Sequence, residues 1–254
     1  MPVVLSRRVD NPEARWVVKL KYKLYDKVVT ISDGIRQVLL SEGVPADKIH
    51  CVLSAVDTQQ YHPDRSHLNW FRETFHIAPD EKVIGMVAQF IARKGHQTLL
   101  EALPAVLAEH PRTKVILFGQ GPIRDDIQAQ VNASPLLRDH VQLPGFRRDL
   151  GQILPCLDVL AHPAYMEGLG VSLLQAAACG VPLVAGRAGG IPEIVQPGLN
   201  GELMEPGDVS ALTRHLNALL ASADLREQYG LAGREWVESR FSITASAERI
   251  SASG

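Results

Sequence analysis

The stretch that most constrains this chain is residues 164–193, AYMEGLGVSLLQAAACGVPLVAGRAGGIPE. It holds a glutamate, a glycine-punctuated turn, an apolar helix, a short strand and a second glycine turn in one run. The turn Glu167-Gly168-Leu169-Gly170 leads into VSLLQAAACG, where good helix formers end at a glycine stop. A helix start behind small residues leaves main-chain N–H groups pointing outward, and the macrodipole adds partial positive charge, so this turn suits an anion. Glu167 lies just outside it. A carboxylate beside an anion site is electrostatically awkward and is better matched to hydroxyl groups. Anion and polyhydroxyl together point to a sugar phosphate.

The surrounding sequence alternates strand and helix. Strands are predicted at 82–88, 113–118, 140–143, 158–161 and 182–185, with helices starting near His96, Pro122, Asp149 and Gly170. Such alternation predicts an α/β fold, a Rossmann-like, doubly wound parallel sheet with helices on both faces. Ligands then gather at the C-terminal strand ends. Two helices, 209–221 and 225–241, follow with no further clear strand, and 243–254 reads as a C-terminal tail helix.

Residues 1–56 read differently. A basic helix over 15–25 carries Trp16, Val17, Leu20 and Leu24 on one side; a buried strand at 27–31, a Ser32-capped helix through Leu40 and a strand at 49–53 follow. Two strands and two helices do not close a doubly wound sheet, because each buried strand needs neighbours on both edges. The expectation is the remnant of an N-terminal domain that is mostly missing, with a boundary near 56–63 and a ligand-binding domain over 57–242.

The 254 residues carry a net charge of −2, which gives no reason to expect a nucleic-acid partner. Cys51, Cys156 and Cys179 are an odd number without paired spacing, so a reducing, cytoplasmic setting fits better than a disulfide framework or a zinc site. The run at 2–5 is too short for a secretory leader, and no apolar run approaches the ~20 residues of a membrane span. Arg7, Arg8, Arg15, Lys19, Lys21, Lys23 and Lys27 outweigh Asp10, Glu13 and Asp26. They suit either a solvated helix face or peripheral contact with the anionic inner face of a membrane.

Reading off the strand ends collects the informative residues. After the first strand of the second region comes QFIARKGH, where Arg93 can grip two oxygens of a diphosphate and Lys94 adds a point charge; an exposed basic turn is the plainer alternative. After the second comes Gly119-Gln120-Gly121-Pro122, whose glycines let a ligand approach the backbone, with a helix expected from the proline. A dinucleotide fingerprint would need a third glycine where Arg124 stands. After the third comes Gly145-Phe146-Arg147-Arg148, suited to stacking on or edging a base. After the fourth comes His162, which reads more readily as a packed strand-end histidine than as a catalyst.

At this point the sequence resembles the C-terminal, donor-binding domain of the retaining GT-B glycosyltransferases of family four, the group 1 transferases. The resemblance rests on VDTQQYHP, GMVAQFIARKGHQTLLEA, LFGQGP, LPGFRRDL, and above all EGLGVSLLQAAACGVPLVAGRAGGIPEIV followed by GLNGELMEPGD. Residues 26–57 also resemble the end of that family's N-terminal domain. The resemblance implies transfer of a sugar, with retention, from a nucleotide-diphosphate sugar to a glycan or lipid-linked acceptor, in the manner of cell-envelope polysaccharide synthesis. It implies no cofactor and no bound metal, because cations and a helix dipole serve the leaving diphosphate. Arg93 and Lys94 match the family's diphosphate cations. Gly168, Leu169, Gly170 and Val171 at the helix start match its phosphate and sugar contacts. Glu167 matches the first glutamate of E-x7-E, on the donor-sugar hydroxyls. Gly119, Gly121, Phe146 and Arg147 match loops near base and donor. Two positions depart: Gln175 stands where the second glutamate receives the ribose, and Gln89 where many members carry arginine.

Two other readings stay open from sequence. A nucleotide-sugar-binding subunit or fragment, inactive without a partner, follows from the thin acceptor half. A dinucleotide oxidoreductase is disfavoured by Arg124, and an epimerase by the E-x7-E helix.

Overall fold

The computed structural model describes residues 3–8 and 13–252, apart from the side chains of Arg15, Lys19 and residues 248–252. Asp10, Arg15 and Lys19 of the basic segment, and the last two residues of the tail, therefore fall outside the described residues or side chains.

The first unit runs β1 (Val4–Arg7), α1 (Arg15–Lys21), β2 (Lys27–Thr30), α2 (Asp33–Ser41) and β3 (Ile49–Cys51). Its three strands pair in parallel in the order β1-β2-β3. β1 was not anticipated: its only signal is the short apolar run after the N-terminus, which pairs Leu5 with Val28. Two further expectations are corrected. Helix α1 stops at Lys21 and tightens into a 3-10 turn over Tyr22–Leu24. Its buried face is Val18 and Tyr22, packed with Val28, Leu39, Val44 and Ile49, whereas Trp16, Leu20 and Leu24 are 70%, 64% and 74% exposed. Val18 and Tyr22 are four apart, so they share one side of the helix, and that side meets the sheet. Arg7, counted in the basic patch, is buried and pairs with Glu13 at 2.8 Å.

The second unit opens with α3 (Leu68–Phe75) and continues β4 (Lys82–Val87), α4 (His96–Glu109), β5 (Thr113–Phe118), α5 (Arg124–Ala133), α6 (Pro135–His140) and β6 (Val141–Gly145). After these come α7 (Leu150–Ile153), β7 (Val159–His162), α8 (Val171–Ala178), β8 (Leu183–Gly186), α9 (Ile191–Ile194) and β9 (Gly201–Met204). The chain closes with α10 (Val209–Ala221), α11 (Ala223–Phe241) and α12 (Ile243–Ala252). All six strands are parallel, in the order β6-β5-β4-β7-β8-β9. The strands are apolar on both faces, as a sheet sandwiched between helix layers requires. The expected sheet is present, with refinements. β9 is an extra strand, α3, α6 and α9 are extra helices, and α5 begins at Arg124 because Pro122 and Ile123 form the turn that leads into it.

The strand order fixes where a ligand can bind. Connections run outward one way from β4 through β5 to β6, and the other way from β7 through β8 to β9. The switch point is therefore the gap between the C-terminal ends of β4 and β7, where two loops diverge and leave a crevice. The C-terminal helices return to the first unit: the Val56 N–H donates to the Phe241 carbonyl at 2.8 Å, and Ser246 Oγ donates to the Leu53 carbonyl at 3.5 Å. Arg234 straps the connecting turn, donating to the carbonyls of Tyr61 and Ala178, both at 2.7 Å, and of Thr58 at 3.0 Å.

Candidate functional site at the strand switch point

Two loops meet at the switch point. The one after β4 makes a 3-10 turn, Ala92–Lys94, and delivers Lys94; the one after β7 delivers Glu167. The Lys94 ammonium donates to Glu167 Oε2, and His162, the last residue of β7, donates from Nε2 to the same oxygen at 2.8 Å. Glu167 Oε1 accepts the Gly168 N–H at 3.2 Å. The side chains of Lys94, Glu167 and His162 are only 10%, 15% and 2% exposed, so this is an almost dry ionic cluster. Burial alone would raise the Glu167 carboxyl. The His162 hydrogen bond and the Lys94 charge outweigh it and hold the carboxyl down at about 2, so Glu167 is an anion across the working pH range. Beneath Lys94, His96 stacks on Phe90 with ring centroids 4.4 Å apart and has neither ring nitrogen hydrogen-bonded. Burial, reinforced by His162 and Lys94, brings its value down to about 4, so His96 is neutral.

Gly170 forms the start of α8 with φ +98, a left-handed conformation that a side chain rarely adopts. Gly168 and Gly170 thus carry the chain from the ionic cluster to a helix start. Leu169 is buried in the core beneath, while Val171 is 50% exposed. Gln175 follows one turn later on the same outward stripe of α8, partly exposed.

Beside the cluster, a cavity of about 240 Å³ opens over the ends of β4, β5 and β6. Gln89, Gly119, Phe146 and Arg147 line it, with Val87 and Phe118 behind. Phe146 is 59% exposed and offers its ring to the cavity, the apolar and flat surface that a base requires. Arg147 is held in place by Asp149, with Nε to Oδ1 at 2.8 Å, and lies over the Trp70 and Phe75 rings. Gly121 packs against the Phe90 main chain and does not line the cavity. Arg93 is placed apart from Lys94: it lines a wider groove of about 500 Å³ with Gln97, Asp126, Gln130 and Tyr165. Among the described residues, no group of three or more His, Cys, Asp or Glu is placed to hold a metal ion, and no helix is long and apolar enough to cross a membrane.

The sequence favours a packed strand-end histidine at His162, which is buried at the end of β7, and its Nε2 also completes the Glu167 cluster. The signal was available, since His162 and Glu167 flank one short loop at a strand end. Ser32 and Glu193 were not read as site residues; their partners lie more than a hundred positions away in sequence.

A parallel sheet with a buried cation–carboxylate pair at its switch point and a base-sized cavity beside it matches one known family in sequence as well. The profile of the glycosyl transferases group 1 matches residues 70–236. The chain belongs to this family. Within the family, it is 33% identical over 238 residues to the GDP-mannose-dependent alpha-(1-6)-phosphatidylinositol monomannoside mannosyltransferase of Mycolicibacterium smegmatis. That alignment covers 89% of this chain and 61% of the relative, so the chain spans under two thirds of the relative's length. It is also 29% identical over 226 residues to a sulfoquinovosyl transferase of Arabidopsis thaliana, covering 87% of this chain and 43% of that protein. Among solved structures, HepE of Anabaena, in complex with UDP and glucose, superposes with a TM-score of 0.88 at 23% identity, over 99% of this chain and 71% of that one. This establishes the GT-B arrangement of both units.

Proposed function

We propose that the chain supplies the donor half of a glycosyltransferase, moving a sugar from a nucleoside-diphosphate sugar to a glycan or lipid-linked acceptor. The observation that carries this is the Lys94–Glu167 pair at the switch point, flanked by the α8 start and the cavity behind Phe146. In this reading the base enters the cavity against Phe146. The diphosphate lies over the N–H groups of residues 169–171, since that of Gly168 is taken by Glu167. The sugar hydroxyls meet Glu167, a fixed acceptor because it stays ionised. The bond between the anomeric carbon and the diphosphate oxygen breaks, and the acceptor hydroxyl, passing its proton to the leaving diphosphate oxygen, takes its place on the same face, giving retention. Negative charge grows on the leaving diphosphate, where Lys94 and the helix dipole stabilise it. Lys94 is shared with Glu167, so it supplies less net charge than a lone cation would. Arg93 reaches the diphosphate in this reading only by turning out of its groove with Asp126.

The relative's name makes GDP-mannose the first donor to try and a phosphoinositide-type lipid the first acceptor. The test is incubation with GDP-mannose or UDP-sugars and lipid extract, following release of nucleoside diphosphate and the anomeric configuration of the product. Donor binding without transfer would favour the second reading, a binding unit needing a partner.

The acceptor reading includes contact with an anionic membrane. Trp16, Leu20 and Leu24 form an exposed apolar stripe on the first unit, and Lys21, Lys23 and Lys27 lie along the same segment. Flotation with anionic but not neutral vesicles, abolished by Trp16→Ser/Leu20→Ser, is expected; equal flotation with both would refute it.

A further inference from the structure

The start of α2 abuts the proposed diphosphate turn. Ser32, fully buried, caps α2 by accepting the Ile35 N–H at 3.2 Å, and its hydroxyl donates to the Gly168 carbonyl at 2.8 Å. On the other side, Glu193 in α9 crosses between the two units: Oε2 accepts the Asp33 N–H at 3.0 Å and Oε1 the Gly34 N–H at 2.9 Å. Those N–H groups form the positive end of α2, so a carboxylate there is favoured by the dipole as well as by the hydrogen bonds. The Gly190 N–H donates back to the Glu167 carbonyl at 3.4 Å. The three segments touch closely enough that a Cβ on Gly190 would come within 2.6 Å of the Gly168 oxygen and 2.9 Å of Ser32 Cβ.

We propose that Ser32 and Glu193 are positioning residues that clamp the first unit onto the 167–170 turn and set the direction of its N–H groups toward the donor diphosphate. This rests on the reading of that turn as the diphosphate site. The Gly168 carbonyl and the Gly168–Leu169 peptide rotate together, since a peptide is planar. Fixing the carbonyl on Ser32 therefore fixes which way the Leu169 N–H points. Glu193 holds Ser32 in register by tying down the two residues after it. The clamp also makes the turn depend on closure of one unit on the other, so donor binding and closure favour each other.

Two measurements on the full chain separate this inference from the functional reading. Without ligand, hydrogen exchange should speed up at 33–35 and 168–170 in Ser32→Ala and Glu193→Ala, and Ser32→Thr, which keeps the hydroxyl, should exchange like the parent. With ligand, Ser32→Ala should weaken GDP or UDP binding about fivefold to tenfold. GMP or UMP, held mainly through the base cavity, should change little. Glu193→Gln, which keeps one acceptor oxygen, should fall between parent and Glu193→Ala. Unchanged exchange at 168–170, or equal losses for mono- and diphosphates, would overturn the clamp. A parent chain that binds no nucleoside diphosphate would overturn the functional reading, and with it the role assigned to the clamp.

Discussion

Replacing Lys94 with methionine leaves Glu167 buried with one of its two side-chain partners gone. The carboxyl ordinarily titrates at 4.5 and is held at about 2 here. At ~1.4 kcal/mol per pH unit, that is roughly 3 kcal/mol in favour of the charged form. His162 and Lys94 share this, so Lys94→Met should cost about 2 kcal/mol at pH 7, below the usual range for breaking a buried pair because His162 remains. The double variant Lys94→Met/Glu167→Gln should regain at least half of the loss, since no buried charge is then unpaired. The pH dependence has a definite sign. A depressed carboxyl stabilises the fold above its ordinary value, and that contribution is lost as pH falls from 4.5 toward 2. In Lys94→Met the carboxyl takes its proton at higher pH, so the gap to the parent should be full at pH 7 and should close in acid. Urea unfolding, followed by tryptophan fluorescence at several pH values, measures this. A gap unchanged between neutral and acid pH, or single-variant losses that simply add in the double variant, would refute the coupling.

Other outcomes follow from the same cluster. His96 is neutral and unpartnered, and its depressed value means that stability is lost as pH falls from 6.5 toward about 4. His96→Phe should remove that part of the acid profile while keeping the stack on Phe90; an unchanged profile would exclude His96 as its source. Gln175→Glu restores a charge toward a ribose and should tighten donor binding by ~1 kcal/mol in calorimetric titration, whereas unchanged affinity would place the ribose elsewhere. Phe146→Ala should weaken GMP and GDP alike, because it removes the cavity's exposed ring; a loss for GDP alone would argue against a base at Phe146.

The second unit was legible because its signals are local. Strands at 82–87 and 113–118 are apolar runs bounded by loops, and the helix expected over 209–221 is α10. β9 was missed for a physical reason: Gly-Glu-Leu-Met contains no β-branched or aromatic residue, and the strand forms because it completes the sheet edge beside β8. Helix α1 shows the opposite failure. Trp16, Leu20 and Leu24 do lie along one side, but hydrophobicity alone did not tell which side meets the sheet; Val18 and Tyr22, smaller in number, fit against β2. At the site, the motif brought Glu167, Gly168, Gly170 and Lys94 to one place, as expected from adjacent strand ends. It could not separate Arg93 from Lys94, because consecutive residues in a 3-10 turn point in different directions and only the fold decides which one faces inward. The contacts that Ser32 and Glu193 make between the units were invisible for a simpler reason: hydrogen bonds across 136, 159 and 160 positions leave no spacing to read.

The most direct measurement is a calorimetric titration of the full chain with GDP-mannose, UDP-glucose and NAD, repeated on Glu167→Gln and Lys94→Met. The expected result is binding of at least one nucleoside-diphosphate sugar in preference to NAD, with affinity falling in both variants. Binding of NAD instead, or sugar-nucleotide affinity indifferent to both Glu167 and Lys94, would contradict the assignment of the switch-point pair to a sugar donor.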